Sequence, residues 1–414
     1  MSGGLQGTRL VMAALLPLAG GGIHPAGASS LHEAIRLAWA QDPLRHSLTV
    51  DSHAAGRNAD AARSWFPGGP VVSGQYFDDH FIGSNQGYTT YQTGVSVPFW
   101  LPGQGTATVR SALADQDVAR AHLEVERMAI AVRVLDLATT AALCAEQVQA
   151  LADERRALDS VEGVTHRLLS AGEVSAADSH AVSGEREDVE NQLANAQEQL
   201  ADARAGLEEL TGRDEVPDLS DITGRTLVAA HPGNLDLAIG RDPRLRLAQA
   251  QVAAARAKDR LVQASFMPNP ELGVDAIHEK QYGSPWNTRV GVQVSVPLPS
   301  AARNVPMRMQ AVREIAAAER DAQTAQRMIR AEYTRTRVRL ASAVTILAHA
   351  TSKRQALASR VDDLEKAWEV GEVSVIEYLR ARRDALAAQQ QERTASVAWH
   401  SAIARILISA GSTP

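Results

Sequence analysis

Disulfides, aromatic residues and basic stretches are what this sequence is short of, and each shortage removes a class of protein. One cysteine, Cys144, stands in 414 residues, so neither an intrachain disulfide nor a paired thiolate metal site can form. Cys144 itself reads as a small buried hydrophobe. Aromatic residues are only 4% of the chain, too few to anchor a thick globular core. The formal net charge is −6 and no basic stripe stands out, which argues against a nucleic-acid partner. Catalytic signatures are missing as well. There is no H-E-x-x-H, P-loop or G-x-S-x-G, and His32-Glu33 lacks a second histidine four positions on. The chain therefore does not read as an enzyme, and neither a cofactor nor a metal is implied. Asp78-Asp79-His80 could ligate a metal but falls in a loop between strands, where a solvated polar segment is the better reading. Arg330, Arg335, Arg337 and Arg339 read as a solvated helix face.

Long apolar runs are confined to the beginning. Arg9 is a positive flank, Leu10 to Leu18 an apolar run, and Ala26-Gly27-Ala28 an A-x-A cleavage site, so residues 1–28 read as a secretory signal peptide. Leu18-Ala19-Gly20-Gly21 resembles a lipobox but has glycine where the lipidated cysteine must stand, so no acyl anchor is expected. No other stretch approaches ~18 consecutive apolar residues. Any membrane span must then be built from strands.

What is present is a sequence written twice. Asp42-Pro43 returns as Asp242-Pro243, a shift of 200 residues. Trp65-Phe66-Pro67 returns as Phe266-Met267-Pro268 after 201. Val95-Ser96-Val97-Pro98 returns as Val294-Ser295-Val296-Pro297, and Gly172-Glu173-Val174-Ser175 as Gly371-Glu372-Val373-Ser374, both after 199. Four matches in one order with a nearly constant offset mark a structural duplication. The expected division is a first repeat over 29–212, a linking equatorial segment over 213–240 and a second repeat over 241–414. Each repeat reads as a helix, a strand pair, a very long helix, a glycine-marked turn and another long helix. The expected helices are Leu31–Ser64, Gly103–Ser170 and Glu173–Leu210, then Asp242–Ser265, Ala301–Val370 and Val373–Ser409. The expected strands lie near Val71–Phe77, Thr89–Val97, Glu271–Ile277 and Thr288–Val296.

The long helices carry heptads. Ile130, Val134, Leu137, Ala141, Cys144, Val148, Leu151, Arg155 and Leu158 step alternately by four and three, as do Leu193, Ala196, Leu200, Ala203, Leu207 and Leu210. Leu357, Val361, Leu364 and Trp368 continue the pattern, which is that of a coiled-coil seam. The strands alternate instead. Val290, Val292, Val294 and Val296 take one face, Gly291, Gln293 and Ser295 the other. Such a strand suits a barrel with lipid outside and water inside, and equally a half-buried strand of a soluble sheet. Four strands cannot close a barrel, whereas three copies would supply twelve. Trp65, Phe66, Phe99 and Trp100 flank the strands as an interfacial belt would, or as packing at the strand-to-helix junction.

With these features in place, the chain resembles the TolC family of outer-membrane factors. The resemblance rests on Leu31-His32-Glu33-Ala34-Ile35, on the strand ending in Val-Pro before a long helix, and on the two turns. The first turn runs from Arg167 through Gly172, Glu173, Val174 and Ser175, with Asp178 following. The second runs from Trp368 through Gly371, Glu372, Val373 and Ser374, with Glu377 following. The resemblance implies a mainly α protein with a small β part, assembled as a homotrimer with a twelve-stranded barrel in the outer membrane of a Gram-negative bacterium and a helical tunnel in the periplasm. It implies that the two turns dock on a periplasmic adaptor, that Asp178 and Glu377 form acidic rings at the tunnel mouth, and that a proton-driven inner-membrane transporter supplies energy. Val373 stands where some members carry a basic gate-locking residue. Met267-Pro268-Asn269-Pro270-Glu271-Leu272 resembles a segment of the heavy-metal-efflux branch, which would make cations the cargo. Drugs, a protein cargo of type I secretion, and a periplasmic coiled-coil adaptor in place of a duct remain alternatives.

Overall fold

The computed structural model describes residues 30–79, 86–172, 175–222, 239–370 and 372–411. The first part of the chain supplies α1 (Leu31–Gln41), α2 (Pro43–Ala61), β1 (Val71–Asp78), β2 (Thr89–Pro98), α3 (Gln104–Ala171) and α4 (Ala176–Thr211). The later part supplies α5 (Pro243–Ala264), β3 (Glu271–Lys280), β4 (Asn287–Ser295), α6 (Ala301–Glu369) and α7 (Val375–Ser409). The signal-peptide expectation over 1–28 lies outside the described residues, as do Glu173, Val174, Gly371 and His80.

The single helix expected over Leu31–Ser64 is two helices, broken at Asp42 and ending at Ala61. Pro43 is the physical reason. Its ring pushes the preceding residue out of the helical region, and Asp42 accordingly has φ −63° and ψ 120°. The Asp42 carboxylate then accepts the Leu44 N–H at 2.9 Å, and the proline occupies a first-turn position where its missing donor costs nothing. Asp242-Pro243 repeats the device: the Asp242 carboxylate accepts the Arg244 N–H at 2.8 Å at the start of α5. The repeated dipeptide is thus a helix cap with a built-in start signal.

The core gathers around the middle of α3. Leu31, Ala34, Ile35 and Ala38, one face of α1, meet Val134, Leu135, Ala138 and Ala141 of α3, Leu207 of α4, and Ile403, Ala404 and Leu407 of α7. Leu219 and Ile222, within the expected linker, pack into the same cluster, and Ser30 bridges to Asp218. That end of the linker is part of the body. Further along, Leu151 and Leu158 of α3 close on Val189, Leu193 and Ala196 of α4. Each fully buried leucine in such a seam contributes roughly 1.5–3 kcal/mol. Cys144 is half-buried, not buried as expected: along the seam it falls between Ala141 of the first cluster and Val148, which packs against the second. Among the described residues, α3 is the one helix apolar and long enough to cross a bilayer, but its stretch from Ile130 to Ala141 is the centre of the core. The long helices run 68 residues in α3 and 69 in α6, each about 100 Å at helical rise.

The four strands form one antiparallel sheet in the order β1-β2-β3-β4. β3, which follows α5, pairs directly with β2, so the wall joins the two parts of the chain.

Candidate functional site

Register decides what the sheet can do. Val72, Val95, Val274 and Val292 are direct partners across the four strands, and Thr93, Ala276 and Val290 follow in the next row. Val97, Leu272 and Val294 form the row below. One face of the sheet is therefore continuously apolar, and it is uncovered: Val72 is 78% exposed and Val292 72%. The opposite face carries Ser73, Gly94, Asp275 and Gly291 in one row, and Gln75, Gln92, Ile277 and Arg289 in another. An exposed apolar face on a soluble sheet is an aggregation liability, whereas lipid would bury it without cost. β4 ends at Ser295, so Val290, Val292 and Val294 belong to the strand while Val296 lies just beyond it, 54% exposed. The ladder stops there because β3 begins at Glu271, the partner of Ser295, and the residue before it, Pro270, has no N–H to donate.

Aromatic residues bound this apolar face at both ends. At the helix end Phe66 meets Phe99 edge-on at 5.7 Å and Trp65 is 90% exposed. The Trp100 indole N–H donates to the Ser64 carbonyl at 3.1 Å, so this residue serves the junction. At the far end Tyr76, Tyr91 and His278 form one row, with Trp286 laid against Tyr91 and His278. That second cluster is not visible as a sequence motif; only the strand register assembles it. Tyr91 and Phe99 are eight residues apart, about 27 Å along a strand and about 20 Å across a membrane once tilted. That is close to the apolar band of about 25 Å on outer-membrane barrels.

The sheet is fixed to the helices through a polar latch. The Asn269 side chain donates to the Phe99 carbonyl at 2.8 Å and to Gln104 Oε1 at 2.7 Å. The Phe99 N–H donates to the Pro270 carbonyl at 2.8 Å, and the Leu101 N–H to Gln104 Oε1 at 3.0 Å. The Pro-Asn-Pro-Glu-Leu segment thus has an architectural use, tying the start of β3 to the end of β2. The acidic loop after β1 is similarly explained: Asp79 accepts the N–H groups of Gln86 and Tyr88 at 2.7 and 3.0 Å. Among the described residues no cluster of potential metal ligands forms.

At the other extreme of the molecule lie the two turns. Gly172 ends α3 with φ 78°, and its N–H donates back to the carbonyls of Leu168 and Leu169. Arg167 is exposed just before the last turn of α3, and Ser175 precedes α4. Asp178 falls in the first turn of α4. At the second turn Glu372 is exposed and Val373 half-buried. Ser374 Oγ accepts the Glu377 N–H at 3.3 Å, capping α7 with Glu377 exposed in its first turn. The spacing is that of a capping box, and carboxylates there also complement the helix dipole. A tie that sequence reading missed holds this second tip. Trp368 stacks on Tyr378 at 5.1 Å, and the Tyr378 hydroxyl lies 2.8 Å from Arg382 and 3.2 Å from Glu365.

Above the tips the two hairpins are linked by ion pairs across α7: Arg383 to Glu185 at 3.0 Å, Arg393 to Glu146 at 3.3 Å, and Arg405 to Asp136. A cavity of about 420 Å³ opens between them, lined by Glu154, Leu158, Val182, Glu185, Leu379 and Arg383. Burial pushes the Glu154 carboxyl above its ordinary range, the Glu185 charge adds to this, and Arg383 opposes it.

An uncovered apolar sheet face, a polar reverse face and 100 Å helices leading from the sheet to capped turns define a class: a transport protein with a membrane-facing strand wall on a helical shaft. The chain belongs to the outer membrane efflux protein family, whose model matches residues 47–213 and 234–412. No curated protein is similar to it in sequence. Among solved structures it is similar to CusC, with 16% identity and a TM-score of 0.71 over 93% of this chain and 92% of that one. It is equally similar to the CmeC outer-membrane channel of Campylobacter jejuni, with 14% identity and TM-score 0.71 over 92% and 85% of the two chains. The outer-membrane protein VceC of Vibrio cholerae gives 14% and 0.71 over 92% and 96%. These likenesses show the fold: a mainly helical chain with a small antiparallel sheet.

Proposed function

We propose that this protein is the outer-membrane exit duct of a tripartite efflux system, passively conducting cargo from a pump and adaptor to the exterior. The observation that carries the proposal is the in-register apolar face of a sheet whose outer strands, β1 and β4, are each paired on one side only among the described residues. Unpaired backbone groups in hydrocarbon are costly, and closing β4 of one copy onto β1 of the next removes both edges. Three copies then give a twelve-stranded barrel with the polar face inside. We read 29–212 and 241–414 as two copies of one unit joined by 213–240, preceded by a signal peptide. Analytical ultracentrifugation of the detergent-extracted protein should give a trimer, and planar bilayers should show a pore. A stable monomer without conductance would overturn the reading.

In this assembly the helical tips meet a periplasmic adaptor through Arg167, Gly172, Glu173, Val174, Ser175, Gly371, Glu372, Val373 and Ser374, and a proton-driven inner-membrane transporter supplies the energy. Asp178 and Glu377 would place carboxylates around the mouth. Replacing them by Asn and Gln should lower cation selectivity, measured as a reversal potential in a planar bilayer. Unchanged selectivity would leave both residues as helix caps. Cations, heavy-metal ions among them, are the proposed cargo, because Glu271, Asp275 and Glu279 line up on the polar face of β3. A duct-deficient host carrying this protein with its pump should regain metal resistance. Regained drug resistance alone would reassign the cargo.

A further inference from the structure

The end of the sheet remote from the helices is built differently from the helix end, and the difference is chemical. Tyr76, Tyr91, His278 and Thr288 are direct partners in one row on the apolar face. Tyr76 and Tyr91 lie 5.0 Å apart, Tyr91 and Trp286 6.1 Å, and the His278 ring stacks on Trp286 at 4.5 Å with 4° between planes. Trp286 comes from the turn before β4 and lies back across the sheet, so three strands and a turn contribute to one aromatic plate. All three large rings are about half exposed, although they touch one another. His278 Nδ1 shares a hydrogen bond of 2.9 Å with Thr288 Oγ1, which holds the imidazole flat and leaves its other nitrogen clear of that bond.

Charge is placed just beyond the plate. The next row on this face holds Asp78, Thr89 and Lys280. Among the described residues Lys280 makes no ion pair. The other basic residue here, Arg289, points to the opposite face and is held by Glu279. Asp78 lies two strands from Lys280, about 10 Å away, and accepts the Tyr76 hydroxyl at 2.5 Å. The plate is therefore continuous with the valine band on one side and bordered by an uncommitted ammonium on the other.

We infer that this outer rim seats a phosphorylated glycolipid, its sugar ring lying on the Tyr76–Tyr91–Trp286 plate and its phosphate meeting Lys280 beside His278. The apolar C–H faces of a sugar suit the electron-rich faces of aromatic rings, and a compact ammonium suits a phosphate. Continuity with the valine band places acyl chains directly below the headgroup. At the helix end, among the described residues, Phe66 and Phe99 form a single edge-on pair and the nearby Arg63 is held by Asp60, so the preference belongs to one leaflet.

The inference rests on the strand wall lying in the membrane, and the experiment separates the two. Each variant is first shown to be a conducting trimer in detergent and in bilayers; failure of the wild type at this stage would sink the membrane reading itself. Trimers are then titrated with a phosphorylated diglucosamine lipid, its dephosphorylated form and phosphatidylglycerol, and bound lipid is counted by native mass spectrometry. The wild type should retain the phosphorylated glycolipid at least about tenfold better than the other two. Lys280→Gln should abolish the preference for the phosphorylated form, Trp286→Ala should weaken both glycolipids, and Asp78→Asn should tighten the phosphorylated one by removing a nearby negative charge. Equal retention of all three lipids by the wild type would make the plate an ordinary aromatic girdle. An unchanged preference in Lys280→Gln would equally overturn the seat.

Discussion

Gly172 sits where an L side chain is resisted by the backbone alone. Its φ is 78°, and a Cβ there would meet nothing within 4 Å. Gly172→Val should therefore cost roughly 1–2 kcal/mol through backbone strain confined to the tip. Trimer yield and membrane insertion should survive while efflux with the partner pump falls. Gly172→Asn, which tolerates the left-handed region, should stay near wild type. If valine and asparagine behave alike, the conformation is not what matters. On the sheet, neighbours in sequence face opposite media. Val294 partners Leu272 on the apolar face, and Gln293 partners Gly273 on the polar one. Val294→Asp should reduce trimer yield in membranes, at a cost below the roughly 2–4 kcal/mol seen for basic residues at mid-depth, and Gln293→Asp should be accepted. Equal yields would remove the lipid assignment.

At the scale of elements, the strands were legible because alternation with a period of two is a local property that survives any tertiary arrangement. The long helices were legible for a similar reason: heptads such as Leu193, Ala196, Leu200 and Ala203 report a seam without naming the partner. The break at Asp42 has a local cause, a proline at 43, that hydrophobic periodicity over Leu31–Ser64 does not register. Asp42-Pro43 marks the repetition and also acts on the backbone, as its return at Asp242-Pro243 does. The aromatic plate, the Asn269 latch and the Glu185–Arg383 pair join residues 165 to 198 positions apart or across a turn, and no local pattern encodes such meetings. The hairpin cavity shows what this hides. Glu154 has its pKa raised by burial and by Glu185, so its charged form opposes the folded arrangement and its protonated form favours it. The stability it contributes is full below the ordinary glutamate range and is lost as pH rises through the raised value. Glu154→Gln should therefore raise the melting temperature of the trimer at pH 7, and the gain over wild type should vanish in acid. A gain that is independent of pH would point to packing instead.

Across the whole molecule, two shafts of 68 and 69 residues start beside one sheet and end at glycine- or serine-marked turns. A one-residue difference amounts to about 1.5 Å of rise, so the arrangement works as a double ruler whose two arms read the same depth. Its graduation is the heptad. Removing seven residues from each of the four helices of the two hairpins keeps every seam in phase and shortens both arms by about 10 Å. Such a protein should still form conducting trimers, and its efflux should return only with an adaptor lengthened to match. Removing seven residues from each helix of one hairpin alone leaves the arms unequal, and full efflux with the unaltered adaptor would show that the arms are not gauged against each other. The fold thus stores a distance, the reach from the strand wall to the helical tips, as a count of helical turns set down twice.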